Sequence, residues 1–182
     1  EGGGPGYATF IRKTDGSPAV RLGSGEGIAL SADGRWVIAQ KLNPSPVQLM
    51  LMPTGAGEVR ALTNDDITHL LAAFLPDGKR FVFSGFKPNQ RRRVWVQPRE
   101  GGAPTPVTPE NTDVADRFLV APDGKRVLVR LGDGRRMFYA VDGASGSAGE
   151  EFKTLLPDDG PLRFTADGTG IFVRRPPADG VV

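Results

Sequence analysis

The chain holds a single histidine, His69, and two carboxylates stand just before it, Asp65 and Asp66, in "TNDDITH". An imidazole beside an acid is the minimal set for general acid–base work. A nucleophile for such a base is harder to find. There is no cysteine, and no G-x-S-x-G turn that would present a serine. A second charged stretch, "FKPNQRRRVWVQ", carries Lys87, Arg91, Arg92 and Arg93 ahead of Trp95. Cations so close together suit an acidic partner, a phosphate or an anionic lipid headgroup. Asp-Gly pairs recur along the chain, but the D-x-D-x-D-G spacing of a calcium loop is absent, and "LPDDGP" at 156–161 brings together only two acids. "GSGEG" at 23–27 lacks the spacing of a dinucleotide-binding loop. No cofactor and no metal are expected.

The elements that position these residues follow from a repeat. Asp-Gly pairs fall at Asp33, Asp77, Asp123 and Asp167, at intervals of 44, 46 and 44 residues. The columns around them agree. Ile28, Ala72, Phe118 and Leu162 stand five residues before the Asp; Val37, Phe81, Val127 and Ile171 stand four after it. Apolar residues two apart on both sides of Asp-Gly mark a β-hairpin, and the pair suits its tight turn. A second hairpin lies between successive Asp-Gly turns, as in "VQLMLM" with "VRALT" and "RRVWVQ" with "PVT". Each period therefore holds four short strands, A to D, with Asp-Gly between A and B. Four antiparallel strands in about 45 residues make one blade of a β-propeller. Blades recur because one alone cannot bury both faces. The expected fold is all-β. It has three full blades at 27–63, 70–108 and 117–156, a C–D half at 7–22 and an A–B half at 161–175, about four blade equivalents in a single propeller or propeller segment over 1–182.

One segment reads differently alone. Residues 58–75 contain no Gly or Pro, and Ile67, Leu70, Leu71, Phe74 and Leu75 fall at helical spacing. The repeat register places 70–75 on strand A, and a short helical turn at 64–68 reconciles the two patterns. The two halves can join by pairing residues 7–12 beside 171–175, which closes a four-bladed ring. Otherwise the propeller is open, and its apolar end faces favour association with further copies.

"LSADGRWVIA", "FLPDGKRFVF" and "VAPDGKRVLV" resemble the WD-like propeller repeat of TolB-type proteins, of prolyl oligopeptidase relatives and of bacterial multidomain proteins such as eukaryotic-like serine/threonine kinases. The resemblance covers residues 7 to about 175. It implies a propeller and, for compartment, an extracytoplasmic setting. The chain itself carries no kinase motif. In such propellers the B–C and D–A loops share the rim used for binding. That rim gathers Asp65, Asp66 and His69 with Lys87, Arg91, Arg92 and Arg93. The plainer alternative is a loop histidine and a solvated basic loop, with one or two arginines covering the blade face. A formal net charge of +2 lacks the concentrated basic surface of a nucleic-acid binder, and no apolar run is long enough to span a membrane. The expected function is non-enzymatic, a scaffold that binds a protein or small ligand on the loop rim, within a larger bacterial protein. The rival readings are a gating propeller of a prolyl-oligopeptidase-like hydrolase and a self-associating propeller fragment.

Overall fold

A computed structural model of the chain describes residues 6–143, 147–156 and 158–175. The acidic, glycine-rich opening and part of the 142–150 loop lie outside the described residues, as does Pro157 of "LPDDGP". The described residues form strands only. The first full blade is β3 (Glu26–Leu30), β4 (Trp36–Lys41), β5 (Gln48–Pro53) and β6 (Arg60–Ala61). The second is β7 (Thr68–Phe74), β8 (Arg80–Phe86), β9 (Arg93–Pro98) and β10 (Thr105–Pro106). The third is β11 (Val114–Val120), β12 (Arg126–Leu131), β13 (Arg136–Ala140) and β14 (Glu150–Glu151). Each is an antiparallel meander in sequence order. Two two-stranded sheets flank them, β1 (Ala8–Ile11) with β2 (Val20–Ser24), and β15 (Gly160–Phe164) with β16 (Ile171–Arg174).

The Asp-Gly turns are built alike. Gly34, Gly78, Gly124 and Gly168 sit at φ of 69°, 64°, 69° and 73°, in the left-handed region where a Cβ is strained. The preceding aspartates accept hydrogen bonds from the backbone N–H groups of Arg35, Lys79, Lys125 and Thr169 at 2.8–3.1 Å. The Asp therefore has a structural task in every turn.

Alternation along the strands divides the core between neighbouring blades. On β8, Phe81 and Phe83 join Ile38, Leu49 and Leu51 of the first blade. Val82 points the other way and joins Val114, Val127 and Val129 of the third. On β4, Val37 and Ala39 pack with Met52 toward Leu22 of the first half-blade. Each side chain of Phe83 or Ile38 size, fully withdrawn from water, contributes about 1.5–3 kcal/mol. Trp95 lies in the cluster between the first two blades and Trp36 packs on its edge, so both tryptophans serve blade packing.

Two expectations resolve differently. Residues 64–67 form a bend, not a helical turn. Asp65 accepts a hydrogen bond from the Ile67 N–H at 2.9 Å, and the Gln48 amide donates to the Asp65 and Ile67 carbonyls, so side chains satisfy the backbone that a helix would satisfy internally. The ring-closing pairing of 7–12 with 171–175 is not formed; β1 pairs with β2 and β16 with β15, in separate sheets.

Candidate functional site

The loop from β6 to β7 carries Asp65 and Asp66, and His69 follows as the second residue of β7, not in the loop. The loop docks on the preceding blade through the Gln48 amide, and it packs on β8 where Gly85 leaves space; a Cβ there would lie 2.7 Å from Ile67 Cγ2 and from the Thr68 carbonyl. His69 is wholly buried. Its Nε2 lies 3.0 Å from Asp65 Oδ1, and its ring lies 4.5 Å from that of Phe83. The His69 carbonyl and the next one, of Leu70, accept hydrogen bonds from the Gln40 amide at 2.9 and 2.7 Å. Burial pulls the His69 pKa down, and the nearby Asp65 carboxylate opposes it. The imidazole is therefore a neutral core group, while the backbone of His69 joins the first blade to the second. Acid–base chemistry on a substrate needs reach, which its burial denies. Asp66 stands outside and accepts an ion pair from Lys87 at 3.0 Å.

The basic stretch between β8 and β9 divides into three environments. Lys87 and Arg91 face solvent, and Arg91 pairs with Asp113 in the next D–A loop at 2.8 Å. Arg92 is half-buried and donates to the Ala115 carbonyl of the third blade. Arg93 is buried at 8% exposure. Its Nε and Nη2 donate to the Thr108 carbonyl at 3.1 and 2.7 Å, and its guanidinium lies 5.0 Å from the centre of the Trp95 ring. Arg93 shares the face of Trp95 and Gln97, and that parity was the signal in the sequence for its inward position. The exposed rim is thus Asp66 with Lys87, then Arg91 with Asp113.

A further basic group lies on the same rim, one blade on. Between the third blade and the β15–β16 half is a cavity of about 280 Å³ lined by Arg117, Arg130, Arg136 and Arg174. Arg136 is buried at 7% exposure at the start of β13 and donates to the Asp159 carbonyl. The Asp159 carboxylate, also in the wall, accepts two hydrogen bonds from Arg175 at 2.6 and 3.0 Å, and that guanidinium holds its carboxyl below the usual carboxylate range. Sequence reasoning passed over this group because its members are scattered from 117 to 175.

No family model matches the chain, and no curated protein matches it. Its structure is similar to the crystal structure of TolB from Acinetobacter baumannii, with a TM-score of 0.74 and 18% identity, over 94% of this chain and 44% of that one. It is also similar to a protein assigned as TolB from Agrobacterium tumefaciens, with a TM-score of 0.66 and 15% identity, over 79% of this chain and 55% of that one. The chain thus spans about half the length of these neighbours. With three four-stranded blades in sequence order and two half-blades beside them, its fold is that of the TolB-type β-propeller.

Proposed function

We propose that the chain is a non-enzymatic interaction propeller that binds a protein or small ligand on the rim formed by its B–C and D–A loops. The observation that carries this reading is the placement of the exposed ion pairs Lys87–Asp66 and Arg91–Asp113, each of which links a B–C loop to a D–A loop on one edge of the molecule. Such pairs contribute little to folding and exchange readily for a partner's charges. The burial of His69, the chain's one histidine, supports the non-enzymatic part. A photo-cross-linker at position 87 or 91 is expected to capture a partner in cell extract, while one at Lys125, beside an Asp-Gly turn on the opposite rim, captures none. Equal capture from both rims overturns the assignment of the rim. Turnover of ester or peptide substrates by the purified chain overturns the non-enzymatic part.

A second reading, association of copies through the half-blades, is favoured by their exposed apolar side chains. Tyr7, Phe10, Val20, Leu162 and Phe172 are each more than half exposed, between 51% and 65%. Isolated exposed apolar groups such as Leu30 are ordinary, but five gathered on or beside the two end sheets mark surfaces that fit another sheet.

A further inference from the structure

We propose that the arginine-lined cavity between the third blade and the β15–β16 half is a receptor for carboxylate side chains of an acidic, extended peptide segment. This deepens the rim reading and rests on it. Three observations carry it.

The first is the position of Arg136. In the strand register it pairs with Arg130, as Leu49 pairs with Gln40 and Val94 with Ser84. Leu49 and Val94 are fully buried apolar core residues. The third blade puts a guanidinium where the other two put hydrocarbon. Its bond to the Asp159 carbonyl fixes this guanidinium in the wall of the cavity.

The second is space. The B–C loop of the third blade is residues 132–135, against 42–47 and 87–92 in the other two. No residue of the shorter loop lines the cavity. Gly160 stands where the second blade has Leu70, and a Cβ at Gly160 would approach the Arg174 carbonyl and Nε at 3.6 and 4.0 Å. At about 280 Å³ the cavity has room for one or two side chains rather than a whole cofactor.

The third is charge. Among the described residues Arg130 and Arg174 have no carboxylate partner. The wall's one described carboxylate, Asp159, is already matched by Arg175. Arg130 and Arg174 therefore offer the cavity two guanidinium groups, the groups that grip carboxylates with two parallel hydrogen bonds. Leu119, Leu128 and Leu162 complete the lining. Their hydrocarbon suits the methylene stem of a Glu or Asp side chain better than a wholly polar anion such as free phosphate.

The test is fluorescence anisotropy with a labelled, end-blocked peptide of alternating Glu and Leu, and its Gln–Leu counterpart. The acidic peptide is expected to bind at least tenfold more tightly. The double variant Arg130→Gln with Arg174→Gln is expected to lose at least tenfold toward the acidic peptide and to leave the Gln–Leu peptide unchanged. Both residues are exposed at strand ends, so the fold stands, and Arg130→Lys with Arg174→Lys separates bidentate recognition from bare charge by recovering only part of the loss. The control pair Lys79→Gln with Lys125→Gln, on the Asp-Gly rim, is expected to have no effect on this peptide. Equal binding of the two peptides, equal loss in the control pair, or inorganic phosphate displacing the peptide at equal concentration overturns the proposal. Cross-linking from positions 87 and 91 is a separate readout, so capture there without peptide binding sinks the cavity and spares the rim.

Discussion

At the scale of single residues, the charged positions prominent in the sequence divide into structural and exposed groups. His69 is a neutral, buried imidazole held between Asp65 and Phe83. Burial lowers its pKa from the ordinary 6.5, so the unfolded chain takes up the proton first as pH falls. The contribution is fully present above the ordinary histidine pKa and is lost below it, down to the folded value. The melting temperature is expected to fall as pH drops below the ordinary histidine value of 6.5, and His69→Phe is expected to flatten that slope. An unchanged slope in the variant would assign the effect to other groups. The carboxylates of Asp33, Asp77 and Asp167 also have lowered pKa values, below the ordinary 3.8, so their loss belongs to a separate, more acidic window. Arg93 and Arg91 make a second contrast. Removing the Arg93 guanidinium strands the buried Thr108 carbonyl and uncovers Trp95. Arg93→Ser is expected to destabilise by about 2–3 kcal/mol and Arg91→Ser by less than about 0.5 kcal/mol, read by urea denaturation. Equal costs would contradict the division of the basic loop.

At the scale of elements, the Asp-Gly hairpin is the unit that was legible. Its spacing, its apolar columns and its turn chemistry agree with one another, so local and global signals point to one fold. The turns also meet. Pro76 of the second blade lies over Gly124 of the third, where a Cβ would stand 3.0 Å from Pro76 Cδ; at Gly34 and Gly78 the same atom meets open space. All three glycines have positive φ, so Ala costs about 1 kcal/mol at each from backbone strain. Gly124→Ala is expected to cost about a further 1 kcal/mol from overpacking, seen as a lower urea midpoint than Gly34→Ala. Equal midpoints would mean that the turn-to-turn contact gives way freely. The bend at 64–67 was not legible, because helical spacing of apolar residues is local, while Gln48, which satisfies that backbone, stands 17 residues from Asp65 in the preceding blade. Arg136 was hidden for a related reason. Its kinship with Leu49 and Val94 emerges only after the shorter B–C loop is taken out of the register.

At the scale of the whole molecule, the half-blades carry a prediction about the chain in solution. The β1–β2 sheet corresponds to strands C and D of a blade, and β15–β16 to strands A and B. In each full blade, B is hydrogen-bonded to C. Within one chain these halves remain apart, so β16 of one copy and β1 of another present the edges that would complete a blade between them. Unpaired edges with apolar faces are unfavourable in water, and joining them buries Phe10 and Phe172, which are 53% and 51% exposed. The purified chain is therefore expected to associate with rising concentration in light scattering. Phe172→Glu places a charge on one of the two surfaces and is expected to shift the equilibrium toward monomer by at least tenfold, while Lys125→Glu, on the Asp-Gly rim, leaves it unchanged. Lys125→Glu alters the net charge more than Phe172→Glu does, because it also removes a cation, so a larger effect of Phe172→Glu reports on the sheet surface and not on net charge. A chain that stays monomeric at all concentrations, or variants that behave alike, would rule out blade completion by a second copy.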